Sequence, residues 1–246
     1  MKKTLRSYLF IIGLSAAVVA CAPANNRYDY DPLEPVNRQI FAFNEVVDTI
    51  ILRPTAKAYR YVVPAEGREA IDNFLRNLRE PVVAANALLQ GDVQQFFTGF
   101  WRFTLNSTFG FAGFNDWAGT YANLKYRSED FGQTLAVWGV DAGPYLVLPV
   151  LGPSTLRDTG GRLADGYADP FNYWLTDEDG VDSRDAVIAR YVLTGIHERE
   201  KALDTLDTIY ETSLDPYATI RSGYLQHRRA LIKNMNKPDP LSDSGE

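Results

Sequence analysis

The sequence predicts an all-α fold, and three observations predict it. Beyond residue 31, apolar side chains recur at three- and four-residue spacing, the period of a helix with one buried face. Asp and Pro stand where those runs begin, and Gly where several of them end. Strand-like sequence is confined to residues 145–150. At 246 residues and 46% apolar the chain has ample material for a core, and no linker or internal repeat divides it. The expected order is a signal peptide at residues 1–20, a polar linker at 21–30, one helical domain at 31–235 and a polar tail at 236–246.

Residues 1–20 read as an address. Lys2, Lys3 and Arg6 precede the thirteen-residue run Tyr8–Ala20, which carries no charge, is short for a spanning helix and suits the apolar region of a signal peptide. The run ends Val18-Val19-Ala20-Cys21, which is similar to the lipobox of bacterial lipoproteins, and Cys21 is the only cysteine. Lipidation there is expected to anchor the mature chain stably. With Ala22 following, the outer membrane is the expected destination. Cleavage removes three basic residues and no acidic one, leaving 22 basic against 31 acidic side chains, a charge of −9.

The domain begins with Asp31, Pro32 and Pro35, after which Val36, Ile40, Phe43, Val47 and Ile50 share a helix face. Pro54 is expected to restart the chain into a short helix carrying Ala58, Tyr61 and Val62. Residues 64–78 follow as a helix with Ile71, Phe74, Leu75 and Leu78 on one side; residues 81–89 form another, closed by Gly91. Asp92 caps an aromatic helix holding Phe96, Phe97, Phe100, Trp101 and Phe103. A glycine-punctuated aromatic segment runs over 106–119. Helices are expected at 128–140, 154–165, 182–214 and 215–234, with a Gly/Pro-bounded segment at 139–152.

Little here supports bond-breaking chemistry. His197 and His227 lie thirty residues apart without an HExxH pattern, and neither a G-x-S-x-G elbow nor a phosphate-binding G-x-x-x-x-G-K-[ST] occurs. Asp158-Thr-Gly160 matches the triplet of aspartic proteases only superficially, since that chemistry needs two such aspartates; it reads as a helix end before a Gly-Gly turn. The acidic run 177–182 lacks the glycine a calcium loop requires at its sixth position, where Asp182 stands. No catalytic residue, metal site or cofactor is expected, and an acidic chain offers nucleic acid no attraction. The mature chain keeps 29 aromatic residues, concentrated at 96–117 and 131–145, either as core or as a membrane-interface ring.

Several strings resemble one family, the MlaA (VacJ-like) lipoproteins. They are Asp31-Pro-Leu-Glu-Pro-Val-Asn-Arg38 leading to Phe43-Asn44, Leu52-Arg-Pro54, Asn73-Phe74, Asn77-Leu78, Glu80-Pro81, Asn86 and Leu89-Gln-Gly-Asp92. Arg102-Phe103, Asn106-Ser-Thr108, Gly110, Asp130-Phe-Gly-Gln-Thr-Leu135, Gly143-Pro-Tyr145, Leu148-Pro149, Gly152, Leu156-Arg-Asp158 and Asp215-Pro-Tyr217 continue in the same order. The resemblance implies a ring-like helical domain lying in the inner leaflet of the outer membrane, with a short hairpin loop near a central channel. It implies removal of phospholipids that have strayed into the outer leaflet and their delivery to a soluble periplasmic carrier (MlaC-like), beside a trimeric porin. Exposing some thirty lipid methylenes to water costs on the order of 20 kcal/mol, so such a protein must shelter the tails throughout.

The resemblance also nominates residues. Gly139, Gly143, Pro144, Tyr145, Leu146 and Leu148 fall in the channel hairpin, with the glycines as hinges. Phe43 and Asn44 fall near the membrane rim. Arg53, Arg102 and Arg157 are candidates for lipid phosphate, or for tying helices together through carboxylates, with Arg157 and Asp158 a candidate structural pair. The alternative function is a structural envelope adaptor that holds a porin or another partner.

Overall fold

The computed structural model describes residues 31–174 and 182–234. Among the described residues the fold is all-α apart from one two-stranded hairpin. Helix α1 (Glu34–Val47) runs through a π-helical turn (Asp48–Leu52) into α2 (Arg53–Val62). The expected restart at Pro54 is thus a widened turn rather than a break. The Arg53 N–H reaches back five residues to the Asp48 carbonyl, and this looser winding makes room for the proline ring.

Helix α3 (Ala65–Leu89) holds a second correction. The sequence splits it at Pro81, yet 25 residues continue through the proline. Burial of Leu75, Val82, Val83, Ala84 and Ala87 outweighs a lost hydrogen bond and clash of about 3 kcal/mol. A turn at Gln90–Asp92 then leads into α4 (Val93–Thr108), where Asp92 caps the Gln95 N–H as expected. Short helices α5 (Trp117–Tyr121) and α6 (Phe131–Val137) follow, each begun by an aspartate cap. The cap at Asp130 and the positive φ of Gly139 trim the helix expected over 128–140.

Strands β1 (Tyr145–Leu148) and β2 (Gly152–Thr155) pair antiparallel, Tyr145 opposite Thr155 and Leu148 opposite Gly152. The second strand was not legible: Gly-Pro-Ser-Thr carries no alternation, and its last two residues fall within the expected 154–165 helix. That helix is α7 (Leu156–Ala168), begun by the Thr155 hydroxyl on the Asp158 N–H. The Gly160-Gly161 pair lies inside it, not in a turn. A Cβ on Gly161 would sit 2.3 Å from the Gly132 nitrogen, so the backbones of α6 and α7 meet there as only glycine allows. After α8 (Pro170–Trp174), the helix expected over 182–214 divides at Ala202 into α9 (Asp182–Lys201) and α10 (Leu203–Thr212). Helix α11 (Pro216–Asn234) ends the described chain.

These elements close a circuit. Helix α1 lies on β1, β1 pairs with β2, and β2 touches α11; α11 touches α6 and α6 touches α3. From α3 the path continues to α9, from α9 to α2, and through the π turn back to α1. Among the described residues an apolar cluster, Tyr145, Val147, Tyr217 and Leu225 with Ile40, Phe41 and Tyr224 against it, sits where α1, the hairpin and α11 meet. Elsewhere among the described residues, many buried side chains are polar or charged, while large apolar ones lie outside. That distribution inverts the usual soluble domain.

Candidate functional site

Two asparagines of α1 hold the hairpin. The Asn37 amide nitrogen donates to the Tyr145 carbonyl at 2.9 Å, and its oxygen accepts from the Val147 N–H at 2.9 Å. One heptad later, Asn44 donates to the Leu148 carbonyl at 2.9 Å and accepts from the Val150 N–H at 2.7 Å. Seven helical residues advance about 10.5 Å and three extended residues about 10 Å, so the two amides match the strand's spacing. A side-chain amide presents the same donor and acceptor as a peptide group. Helix α1 therefore acts as a third strand along the open edge of β1.

The base of the hairpin is held from α7, whose Leu156 and Arg157 N–H groups donate to the carbonyls of Pro144 and Ala142. Gly143 has φ +68°, and a Cβ there would approach the Leu156 Cβ to 3.0 Å; Gly139 is also left-handed, at +87°. Tyr145 is buried edge-on against Tyr217, and burial raises its phenol's pKa. Leu146 and Leu148 are half-covered, whereas the exposed apolar tip is Val150 and Leu151. Val150 has φ +64°, a conformation costly for a β-branched side chain, fixed by the Asn44 clasp. Phe43 and Asn44, nominated together, do different things: Phe43 projects outward, 52% exposed, and Asn44 turns in to the hairpin.

The three nominated arginines are all engaged by carboxylates. Arg102 is 3% exposed, bonded to Glu80 at 2.6 Å, to Asp116 and to the Leu124 carbonyl; a lipid phosphate has no access to it. Burial pushes the Glu80 carboxyl up to about 7, further than Arg102 pulls it down. Arg157 lies on Asp158 at 3.1 Å and on the Val140 carbonyl, the structural pairing the sequence offered as its alternative. Arg53, partly exposed, reaches Asp207 of α10 at 2.8 Å.

Sequence reasoning missed the hub of this region. Arg228 of α11 bridges Asp130 at 2.6 Å and Asp158 at 2.9 Å, and Asp158 also accepts from the Tyr224 hydroxyl at 2.8 Å. Burial would raise the Asp130 carboxyl, but the Arg228 guanidinium and Gln133 hold it at about 2. Asp130 and Asp158 stand in the quoted strings, but their partner stands seventy residues or more further on, where no local pattern announces it. On α9, Arg199 likewise bonds Asp48 of the π turn at 2.6 Å, and buried His197 joins Asp72 to the Tyr59 hydroxyl.

The outside is apolar over several elements. On α1 and the π turn that continues it, Val36, Phe43, Val46 and Ile50 share the exposed face; on α4, Val93, Phe97, Phe100 and Trp101 do. Between Val93 and Asn115 the only charged side chain is buried Arg102. Thr98, Thr104 and Thr108 donate their hydroxyls to carbonyls four residues back, so this helix meets its own hydrogen-bonding needs. Among the described residues no helix is long and apolar enough to cross a membrane, and no group of three or more metal-ligating side chains forms. Cys21 and residues 177–181 of the acidic run lie outside the described residues.

The family model of the MlaA lipoprotein matches residues 29–231. This chain belongs to the MlaA lipoprotein family. It is 42% identical over 213 residues to the intermembrane phospholipid transport system lipoprotein MlaA of Escherichia coli, covering 85% of this chain and 81% of that protein. The protein of the same description in Haemophilus influenzae is 33% identical, covering 89% and 87%. A solved structure described as the structural basis for maintenance of bacterial outer membrane lipid asymmetry superposes with TM-score 0.71 at 38% identity, covering 82% of this chain and 99% of that one. The mostly helical fold and the lipoprotein character read from the sequence accord with these relatives, whose family is one of transport lipoproteins.

Proposed function

We propose that this chain is a lipid-anchored protein of the outer membrane that draws mislocalised phospholipids from the outer leaflet and passes them toward the periplasm, maintaining lipid asymmetry. Anchored through Cys21 in the inner leaflet, it lies with its apolar faces among the acyl chains. The opening framed by the circuit of helices is the path, polar for the head group and continuous with an apolar rim for the tails. A soluble periplasmic carrier receives the lipid, and a trimeric porin is the neighbour in the membrane. The chain breaks no bond.

The observation that carries this reading is the inverted distribution of side chains. A closed circuit with charged and amide groups inside and Phe43, Phe97, Phe100 and Trp101 outside suits a bilayer rather than water. The hairpin gates the path: its base hinges on Gly139 and Gly143, and its tip rests on Asn44. Gly143→Pro tests this, because proline cannot adopt the +68° at that position and displaces the hairpin. In cells, we expect phospholipid to accumulate in the outer leaflet while the level of the lipoprotein and its association with porin hold. Unchanged asymmetry at a normal protein level would refute the conduit and leave the structural adaptor.

A further inference from the structure

The nominated arginines are engaged, and the structure leaves a different one free. Arg79, in the middle of α3, is exposed and makes no hydrogen bond or ion pair with any described residue. Each of the other arginines with a described side chain has a partner; Arg76, one turn earlier, reaches Asp72 at 2.7 Å and stacks on the Tyr126 ring.

Its position follows from helical spacing. Asp72, Arg79 and Asn86 are seven residues apart, so they fall on one face of α3, each step advancing about 10.5 Å. Asp72 docks that face on α9, bonding His197 and Lys201. Asn86 docks it on α6 and α7, bonding Thr134 and Asp165. Arg79, midway between, touches neither dock. The face therefore lies between two neighbours of α3 in the circuit, α9 at one end and α6 with α7 at the other. Helix α8 also touches α3, and Arg79 remains exposed. Leu88, nine residues on and so on the opposite side of the helix, is exposed to the outside.

Asp165 and the Tyr126 phenol feel this charge, but neither bonds it. Both oxygens of Asp165 are taken, one by the Asn86 amide at 2.8 Å and one by the Phe131 N–H at 3.0 Å. Burial raises the Asp165 carboxyl, and the Arg79 charge pulls it back only in part. A guanidinium free on the inner side of an acidic protein suits a monoanionic phosphodiester, which it can grip with two parallel hydrogen bonds.

We propose that Arg79 binds the phosphodiester of a phospholipid head group as the lipid passes through the opening. This rests on the conduit reading and assigns it a recognition residue. The test is calorimetric titration of the full-length protein, in an uncharged detergent, with three probes: dihexanoyl-phosphatidylglycerol, dihexanoylglycerol (which lacks the phosphate) and inorganic phosphate. For Arg79→Gln we expect phosphatidylglycerol affinity to fall by about tenfold or more, the loss of a charge-assisted hydrogen bond, with dihexanoylglycerol affinity unchanged. Arg79→Lys, which keeps the charge but not the fork, should bind more tightly than Arg79→Gln. Equal phosphatidylglycerol affinity in Arg79→Gln would overturn the proposal while the wild type's binding of both lipids keeps the conduit standing. Loss of both lipids in Arg79→Gln would make Arg79 a structural residue and overturn it too. Inorganic phosphate binding as tightly as phosphatidylglycerol would show a free-anion site and reject the head group. A wild type that binds neither lipid would overturn the conduit, and this inference with it.

Discussion

Replacing Asn37 with alanine removes three hydrogen bonds at once and leaves two buried backbone groups, the Tyr145 carbonyl and the Val147 N–H, facing a methyl group. Asn37 is only 2% exposed, so water does not substitute readily. Each orphaned buried group costs about 1–3 kcal/mol, giving about 2–6 kcal/mol for the pair. Amide hydrogen exchange in lipid nanodiscs reads this directly: residues 145–148 should exchange from about 30-fold to about 20,000-fold faster, at about 1.4 kcal/mol per decade. Asn44→Ala is the internal comparison. Its partner Val150 is half exposed, so water can replace the amide and the cost should stay near 1 kcal/mol, confined to the tip. Equal exchange in wild type and Asn37→Ala across residues 145–148 would refute the idea that α1 serves as a strand.

Three further outcomes follow from the electrostatics and the anchor. The Asp130 carboxyl, held at about 2 against an ordinary value of 3.8, contributes stability that is present above pH 3.8 and lost as pH falls through about 2. Its size is about 2 kcal/mol at 1.36 kcal/mol per unit, and denaturant midpoints of Arg228→Met should lose that acid dependence. Glu80 behaves oppositely: its raised value means stability present below pH 4.5 and lost as pH rises through about 7, so melting temperatures of Glu80→Gln should run flatter across that interval. Cys21→Ser should release much of the protein from sedimented membranes, whereas retention at the parental level would show that the apolar faces alone suffice.

The helices with strong apolar periodicity, α1 and α4, were legible in the sequence, as were the cap at Asp92 and the strand at Tyr145. The breaks were not. Proline argues locally for an end, but α3 keeps Pro81 in a 25-residue helix because buried neighbours on both sides hold it, and Pro54 is absorbed by a π turn whose sequence shows no sign of one. Strand β2 exists because β1 needs a partner, a tertiary demand that Gly-Pro-Ser-Thr does not advertise. The candidate site follows the same division. Glycines at Gly139 and Gly143 signal left-handed backbone by their identity. Which arginines are free depends on carboxylates far away in the chain, so Arg102 and Arg79 look alike in sequence and differ completely in space.

A hoop transmits load differently from a solid body. In a packed globule a damaged joint is braced from every side, but here each segment leans chiefly on the one before and the one after. Weakening the joint between α11 and α6, through Arg228, would let the whole perimeter slacken, and the strain would reappear at the far side where Arg199 ties α9 to the π turn. Substitutions at these two remote joints should therefore not sum as independent sites do: once the loop is cut at one place, a second cut frees an arc rather than a bond.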